Sequence, residues 1–331
     1  MRPPGLPPRR TDTRTDPTDP SYRHPARTGR RRPAVMTELT TRDGCTLRYR
    51  VTGDGPHTVV IVPGWSQTAA MFDRTVALLG PEFRVVAYDH RNHGESGRTP
   101  YGARIATLAA DLRELLDHLE VDRAHVVAHS MGCSVLWSHI DSHGTDRLAS
   151  VVWIDQPSVC ALLPWLAPSD ASEVGAILDF AGAEAFVASL LGPESDAVRE
   201  GFLRSMLSPD LSDDDFAFLL AENRKLAMPY GAQLLLDHVV QDWRDVLPRV
   251  DVPSLVVGGE VSHVAASSQA WSAAQIPGAA LRVFTRAEGG AHFPFFESPD
   301  DFVPVLRAHV LAAAGAPVSA ADAGAPSYAH G

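Results

Sequence analysis

The chain has 331 residues, of which 45% are hydrophobic, and a formal net charge of −11. A chain of this length can bury a large core, and its acidity argues against a nucleic-acid-binding surface. No apolar run reaches the roughly 18 residues that a membrane span needs. Three cysteines without a CxxC pair predict neither a disulfide framework nor a zinc site. We therefore expect a cytoplasmic protein that acts on a small molecule without a cofactor or metal and has no nucleic-acid or membrane partner.

Residues 1–35 differ in composition from the rest of the chain. They hold nine Arg against three Asp and eight of the 26 prolines, with few large apolar side chains. Such a segment cannot bury enough surface to offset the entropy of ordering, so it is predicted to be a disordered basic arm. No apolar stretch of a secretory signal follows the basic residues. The small and polar residues 314–331 are predicted to be a disordered tail.

Short β-branched runs alternate with helical patterns along the rest of the chain. The apolar residues within 105–119 recur every three or four positions and form one helical face. A closing helix is predicted from about Pro299 to Ala313. Six runs predict buried strands: TVVIVPG at 58–64, FRVVAYD at 83–89, AHVVAHS at 124–130, LASVVWID at 148–155, SLVVGGE at 254–260 and LRVFT at 281–285. Together these elements predict a doubly wound, mostly parallel α/β sheet.

Residues 156–250 interrupt this alternation. They contain several helical patterns and no clear β run, and they lie between two predicted sheet strands. The pattern predicts an inserted helical cap, which divides the core into a first part at 36–155 and a second part at 251–313.

The stretch AHSMGC at 128–133 is close to the nucleophile-elbow pattern G-x-S-x-G. Ser130 lies where a predicted strand ends and a helix begins, at the sheet edge where open α/β folds bind their ligands. Ala128 replaces the first glycine with only one added methyl group. The helix that begins at Met131 directs backbone N–H groups toward Ser130, which offers half of an oxyanion hole. The alternative is that Ser130 is an ordinary helix N-cap.

Three further motifs resemble those of the α/β-hydrolase superfamily. VPGWSQTAAMF resembles its loop after the third strand, AYDHRNHGES its D-x-R-G-x-G-x-S turn and EGGAHFPFFESP its late histidine motif. In the second motif Asn92 replaces a glycine. The resemblance covers about Met36 to Ala313 and implies a triad of Ser, acid and His in that chain order. It also implies a second oxyanion-hole N–H from Trp65.

His292 is the candidate general base. It follows the last predicted strand and precedes the final helix, where a loop can bring the imidazole over the elbow. His129 and His93 lie in tight turns of the motifs, which favours structural roles for them.

The acid is the residue in which this sequence departs from the common family pattern. Most members carry it after the strand equivalent to SLVVGGE, where this chain has Ser262. Asp155, which follows the preceding strand, is the candidate; certain lipases and the cofactor-free quinolone dioxygenases place the acid there. Glu260 is the rival acid, and the alternative role for Asp155 is a strand-end cap. His263 is expected to hydrogen-bond Ser262 in the vacated position.

The substrate is less well defined by the sequence. Trp65, Trp153 and Trp165 flank the predicted site and indicate an apolar or aromatic, uncharged ligand, with Trp153 and Trp165 as candidate substrate-binding residues. No Asp or Cys replaces Ser130, which argues against haloalkane dehalogenase, epoxide hydrolase and dienelactone hydrolase chemistry.

Three functions remain. The leading one is hydrolysis of an ester or C–C bond through an acyl-enzyme on Ser130. The second is a cofactor-independent dioxygenase of a hydroxyquinolone-type substrate, in which His292 deprotonates a ring hydroxyl; Ser66 and Gln67 stand where those dioxygenases carry a histidine. The third is a catalytically idle binding protein on the same scaffold. The sequence leaves the oligomeric state open.

Overall fold

The computed structural model describes residues 36–318 and residue 322. The predicted basic arm at 1–35 and most of the tail beyond residue 318 lie outside the described residues. Within the described part, the central sheet has eight strands in the order β1-β2-β4-β3-β5-β6-β9-β10. These strands are β1 (Thr37–Thr40), β2 (Thr46–Thr52), β3 (His57–Val62), β4 (Phe83–Asp89), β5 (Ala124–His129), β6 (Leu148–Ile154), β9 (Ser254–Gly259) and β10 (Ala280–Phe284).

The six strands predicted from the sequence form the parallel part of this sheet. Successive neighbours from β4 through β3, β5, β6 and β9 to β10 all pair in parallel. Every residue of β5 and β9 is buried, as expected for parallel strands that are covered by helices on both faces. The predicted α/β-hydrolase sheet is therefore confirmed.

Two antiparallel strands at the start of the described chain were missed. β1 pairs with β2, and β2 pairs with β4. In β2 only Leu47 and Tyr49 are buried, and they alternate with residues that are exposed in part. The reason is physical: an outer strand buries one face and reads as an alternation, whereas the prediction relied on continuous apolar runs.

Helices cover both faces of the sheet. The predicted helical face is present in α2, where Ile105, Leu108, Leu112 and Leu115 are buried, and the closing helix spans the predicted residues. The helices outside the insertion are α1 (Asp73–Leu78), α2 (Ile105–His118), α3 (Met131–His143), α9 (Ala266–Gln275), α10 (Pro294–Glu297) and α11 (Pro299–Ala313). Among the described residues, no helix is both long and apolar enough to cross a bilayer.

The segment between β6 and β9, here called the cap segment (residues 156–250), is mostly helical. Its helices are α4 (Ala171–Val174), α5 (Phe180–Leu190), α6 (Ser195–Ser205), α7 (Asp213–Asn223) and α8 (Tyr230–Val239). It also contains a short parallel pair that the sequence did not predict, β7 (Ala161–Leu162) with β8 (Leu178–Asp179). Strands of two residues carry no periodic signal, so the sequence could not reveal them.

Candidate active site

Ser130 lies in a sharp turn between β5 and α3. Its backbone has φ 53° and ψ −129°, a conformation that costs a non-glycine residue roughly 1–3 kcal/mol. A Cβ at Gly132 would lie 2.2 Å from the carbonyl oxygen of Val62, so that position requires glycine, whereas the methyl group of Ala128 is accommodated in the core. The turn is the strained strand-to-helix turn that defines a nucleophile elbow.

Two backbone N–H groups border this turn. Met131 is the first residue of α3, so its N–H has no acceptor within the helix. The loop after β3 passes close to the elbow, because a Cβ at Gly64 would lie 3.0 Å from the Ser130 Cβ. The N–H of Trp65 follows directly in that loop. Neither N–H donates a hydrogen bond to another residue of the described chain, so both are free to donate to a substrate oxygen.

Asp155 and His292 form a buried pair across the end of the sheet. The Nδ1–H of His292 donates to Oδ2 of Asp155 over 2.6 Å. Asp155 follows β6 directly and is 0% exposed, and His292 is 2% exposed. Because Nδ1 carries the proton, Nε2 of His292 holds the lone pair that a general base needs.

Two more donors converge on the Asp155 carboxylate. The Ser262 hydroxyl donates to Oδ2 over 2.5 Å, and the N–H of Gly259 donates to Oδ1 over 3.3 Å. Burial raises the pKa of Asp155, and these two hydrogen bonds act against that rise. Burial lowers the pKa of His292 below its ordinary value, which keeps the imidazole neutral at pH 7.

The rival acid lies elsewhere. Glu260 is exposed, and its Oε2 accepts a hydrogen bond from the backbone N–H of Arg286 over 2.7 Å. The prediction that His263 hydrogen-bonds Ser262 is wrong, because the hydroxyl of Ser262 is taken by Asp155 and by the N–H of Val264. Ser262 thus serves as a hydrogen-bond donor to the Asp155 carboxylate.

A hydrogen-bonded chain joins the loop after β3 to the backbone of His292. Gln67 accepts the N–H of Gly64 on Oε1 over 2.6 Å, and its amide lies 2.7 Å from Nδ1 of His129. Since Gln67 Nε2 can only donate, His129 carries its proton on Nε2, which donates to the His292 carbonyl over 2.7 Å. The N–H of His292 donates to Met206 in the cap segment. His129, predicted to be structural, therefore holds the backbone of the candidate base.

Ser130 and His292 line one cavity of about 390 Å³. Cap residues such as Phe186, Phe202 and Met206 complete its walls. No Lys, Arg, Asp or Glu of the described residues lines it. No sequence pattern indicated these cap residues, because their approach to the elbow depends on how residues 156–250 fold back over it.

The three predicted tryptophans have different positions. Trp65 lines the cavity, and its indole N–H donates to the carbonyl oxygen of Gly231 in α8 over 2.8 Å. Trp153 does not line it: the indole is buried and stacks on Trp137 with ring centroids 5.5 Å apart. Trp165 is 70% exposed and also lies outside the cavity walls. Nearness in sequence to Asp155 did not bring either residue to the cavity, so the prediction for Trp153 and Trp165 is corrected.

The described residues contain no group of three or more His, Cys, Asp or Glu placed to bind a metal ion. The three cysteines are free thiols and are buried. The cavity is lined by the hydroxyl of Ser130 and the imidazole of His292, and the Asp155 carboxylate is bonded to that imidazole.

Comparisons with known proteins place these features in a family. The model of the alpha/beta hydrolase fold matches residues 57–299. The chain is 30% identical over 276 residues to the non-heme chloroperoxidase CPO-A1 of Kitasatospora aureofaciens, covering 78% of this chain and 92% of that protein. It is 28% identical over 290 residues to the 2-heptyl-3-hydroxy-4-quinolone dioxygenase AqdC2 of Rhodococcus erythropolis, covering 83% and 98%.

A solved structure shows the same fold. The esterase EaEST of Exiguobacterium antarcticum superposes with a TM-score of 0.75 at 19% identity and covers 83% of this chain and 99% of its own. At that identity the likeness concerns the fold alone. The matched family model, the sheet order and the relatives lead to one conclusion: the chain belongs to the alpha/beta-hydrolase superfamily of enzymes.

Proposed function

We propose that the protein is a serine hydrolase of an uncharged, apolar or aromatic ester or C–C-bond substrate. The observation that carries this proposal is the 2.6 Å hydrogen bond between Asp155 and His292, on the wall of the cavity that Ser130 also lines. A neutral imidazole held in one tautomer, in a cavity that a strained serine also lines, supports activation of the serine hydroxyl as a nucleophile.

The proposed reaction has two halves. The Ser130 hydroxyl oxygen attacks the substrate carbonyl while Nε2 of His292 takes its proton, and the N–H groups of Trp65 and Met131 hold the resulting oxyanion. Asp155 stabilises the imidazolium. His292 then returns the proton to the departing alcohol or carbanion, which leaves an acyl-serine. Water, deprotonated by His292, releases the acid and restores Ser130.

The cavity supports the uncharged substrate. A charged ligand in a mostly apolar cavity without an opposite charge would lose its hydration without compensation. The volume of about 390 Å³ is within the range of small-molecule sites. The buried free thiols are in keeping with the reducing cytoplasm expected from the sequence.

Substitution of the nucleophile tests this function. Ser130→Ala is expected to abolish labelling by a fluorophosphonate probe and hydrolysis of small aryl esters, because both reactions need the hydroxyl. Ser134→Ala is a matched control: Ser134 lies on the same helix, is buried and does not line the cavity. Undiminished ester hydrolysis by Ser130→Ala would contradict the assignment.

A second candidate function is cofactor-free dioxygenation of a hydroxyquinolone-type substrate. It is favoured by the match to AqdC2, which covers 98% of that protein, and by the acid after β6. In this reaction His292 would take the proton of a ring hydroxyl and Ser130 would orient the ring. Oxygen uptake with 2-heptyl-3-hydroxy-4-quinolone that survives Ser130→Ala and is lost in a His292→Ala variant would establish it, whereas the leading proposal predicts none.

A further inference from the structure

His263 is a second imidazole at the candidate site with no role in the proposed reaction. It follows Ser262 in the loop after β9 and lines the same cavity as Ser130. Its ring stands edge-on to that of His292, with ring centroids 4.5 Å apart.

The two nitrogens of His263 differ in exposure. Nδ1 is sealed from solvent and has no hydrogen-bond partner within the described chain. Nε2 is not among the sealed atoms and bonds to no described residue. Since His263 lines the cavity, we infer that Nε2 is the nitrogen that faces it. Leaving a buried polar atom unpaired destabilises the folded protein, and such an atom in a native protein needs an explanation.

Nitrogen exposure also decides the tautomer. A buried N–H without an acceptor is rarer than a buried acceptor without a donor. We therefore place the proton of the neutral ring on Nε2, the open nitrogen. In that tautomer His263 presents a hydrogen-bond donor to the cavity, beside the general base.

The strand order indicates which part of a bound ester lies near the Nε2–H donor of His263. The loop after β3, which supplies the N–H of Trp65, and the loop after β9, which carries His263, lie on opposite sides of β5 and β6. The carbonyl oxygen of an ester must point toward Trp65 and Met131. The alcohol portion, which receives its proton from His292, then lies on the side of His263.

We propose that Nε2–H of His263 donates a hydrogen bond to an acceptor oxygen in the alcohol portion of the substrate, and that the preferred substrates are esters whose alcohol carries an ether or carbonyl oxygen near the scissile bond. This inference rests on the proposed hydrolase function and adds to it a substrate class. It gives Nε2 of His263 a partner that is present only in the complex, while Nδ1 stays an acceptor without a donor within the described chain.

A matched pair of esters tests the proposal. 2-Methoxyethyl benzoate and butyl benzoate have the same chain length and differ by one ether oxygen in place of a methylene. The ratio of their kcat/KM values is expected to fall about three- to tenfold in His263→Phe, the loss of one neutral hydrogen bond. His263→Gln retains an N–H donor and is expected to restore much of the ratio.

His238 provides a control in the same cavity. Its Nε2 already faces the Sγ of Cys160 at 3.6 Å, so His238→Phe is expected to leave the ratio unchanged. An unchanged ratio in His263→Phe, or an equal fall in His238→Phe, would overturn the inference.

Binding separates this inference from the hydrolase function. Ser130→Ala cannot form an acyl-enzyme, so calorimetry with this variant gives Kd values for both esters without turnover. A Kd ratio that changes three- to tenfold on adding His263→Phe supports the donor role, and an unchanged ratio overturns it. Failure of the wild-type enzyme to hydrolyse any ester would contradict only the proposed function.

Discussion

The ends of the neighbouring strands β6 and β9 contribute different groups to the candidate site. At the end of β6, Asp155 is fully buried and binds His292. At the end of β9, Glu260 is exposed and bonded to a backbone N–H, while Ser262 donates to the Asp155 carboxylate. In our proposal the acid lies at the end of β6, and position 262 at the end of β9 supplies a hydrogen bond to it.

The position of the His292 imidazole therefore constrains the site more than the choice of the strand that carries the acid. Both strand ends reach the same side of His292, because β6 and β9 are parallel neighbours. We therefore expect that a carboxylate at position 262 would also meet Nδ1. The backbone of Asp155 has φ 51°, a left-handed conformation that a non-glycine residue adopts at a cost, as Ser130 does.

The largest effect is expected from Asp155→Asn. The amide favours the wrong tautomer of His292 and cannot stabilise the imidazolium, so kcat for aryl esters is expected to fall by roughly 10³–10⁴. Glu260→Gln is the matched control and is expected to retain nearly the wild-type rate. Circular dichroism checks that both variants fold. A severe loss in Glu260→Gln with a mild one in Asp155→Asn would reverse the assignment.

An exchange of Asp155 and Ser262 tests whether the end of β9 can carry the acid. Asp155→Ser alone is expected to be almost inactive, and adding Ser262→Asp restores a carboxylate at the position that most relatives use. The double variant is expected to exceed Asp155→Ser by about tenfold in kcat, the size of coupling seen between contacting residues. A double variant no faster than Asp155→Ser would show that only the end of β6 can serve the imidazole.

Removal of the supporting hydroxyl has a smaller expected effect. Ser262→Ala leaves Asp155 with one donor fewer, and we expect kcat to fall up to about tenfold. The pH profile distinguishes this role from general destabilisation. Since the Ser262 hydrogen bond lowers the pKa of Asp155, the acidic limb of kcat is expected to shift to higher pH in Ser262→Ala and to return in Ser262→Thr.

The smallest effect concerns stability in acid. Burial lowers the pKa of His263 to about 3 from an ordinary value of 6.5. The unfolded chain therefore binds more protons below pH 6.5, so this histidine's contribution to stability is present above pH 6.5 and is lost as the pH falls. The free energy of unfolding of His263→Gln is expected to fall less steeply between pH 6.5 and 5 than that of the wild type, by roughly 1 kcal/mol per pH unit. Equal slopes would contradict the burial of a neutral His263.

The parts of the fold with a local signal were predictable. The apolar runs predicted the six parallel strands, because each signal lies in a few adjacent residues. The elbow and late histidine motifs pointed to Ser130 and His292, which line one cavity; their roles stay a prediction. Asp155 followed from the lack of an acid at position 262. The outer strands β1 and β2 were missed, since burial of one face gives only a weak alternation.

The parts that depend on contacts distant in sequence were not predictable. Trp153 stacks on Trp137 rather than facing the cavity, and Trp165 lies at the surface. Both faces of the buried strand β6 are apolar, so the sequence does not show that Trp153 lies on the face that packs against Trp137 of α3. Likewise, His129 and Gln67 become neighbours only when β3 and β5 pair, so neither residue type indicated the hydrogen-bonded chain that they form.

The most direct test of Ser130 as the nucleophile is to locate the acyl group on the enzyme. 4-Nitrophenyl acetate is mixed with the enzyme, the reaction is stopped with acid within milliseconds, and the peptides are analysed by mass spectrometry. We expect an acetyl group on the peptide that contains Ser130. It is expected to form at similar rates in the wild type and Glu260→Gln, and far more slowly in Asp155→Asn. An acetyl group on another residue, such as Cys160, or equal acylation rates in Asp155→Asn and wild type, would contradict the proposed mechanism.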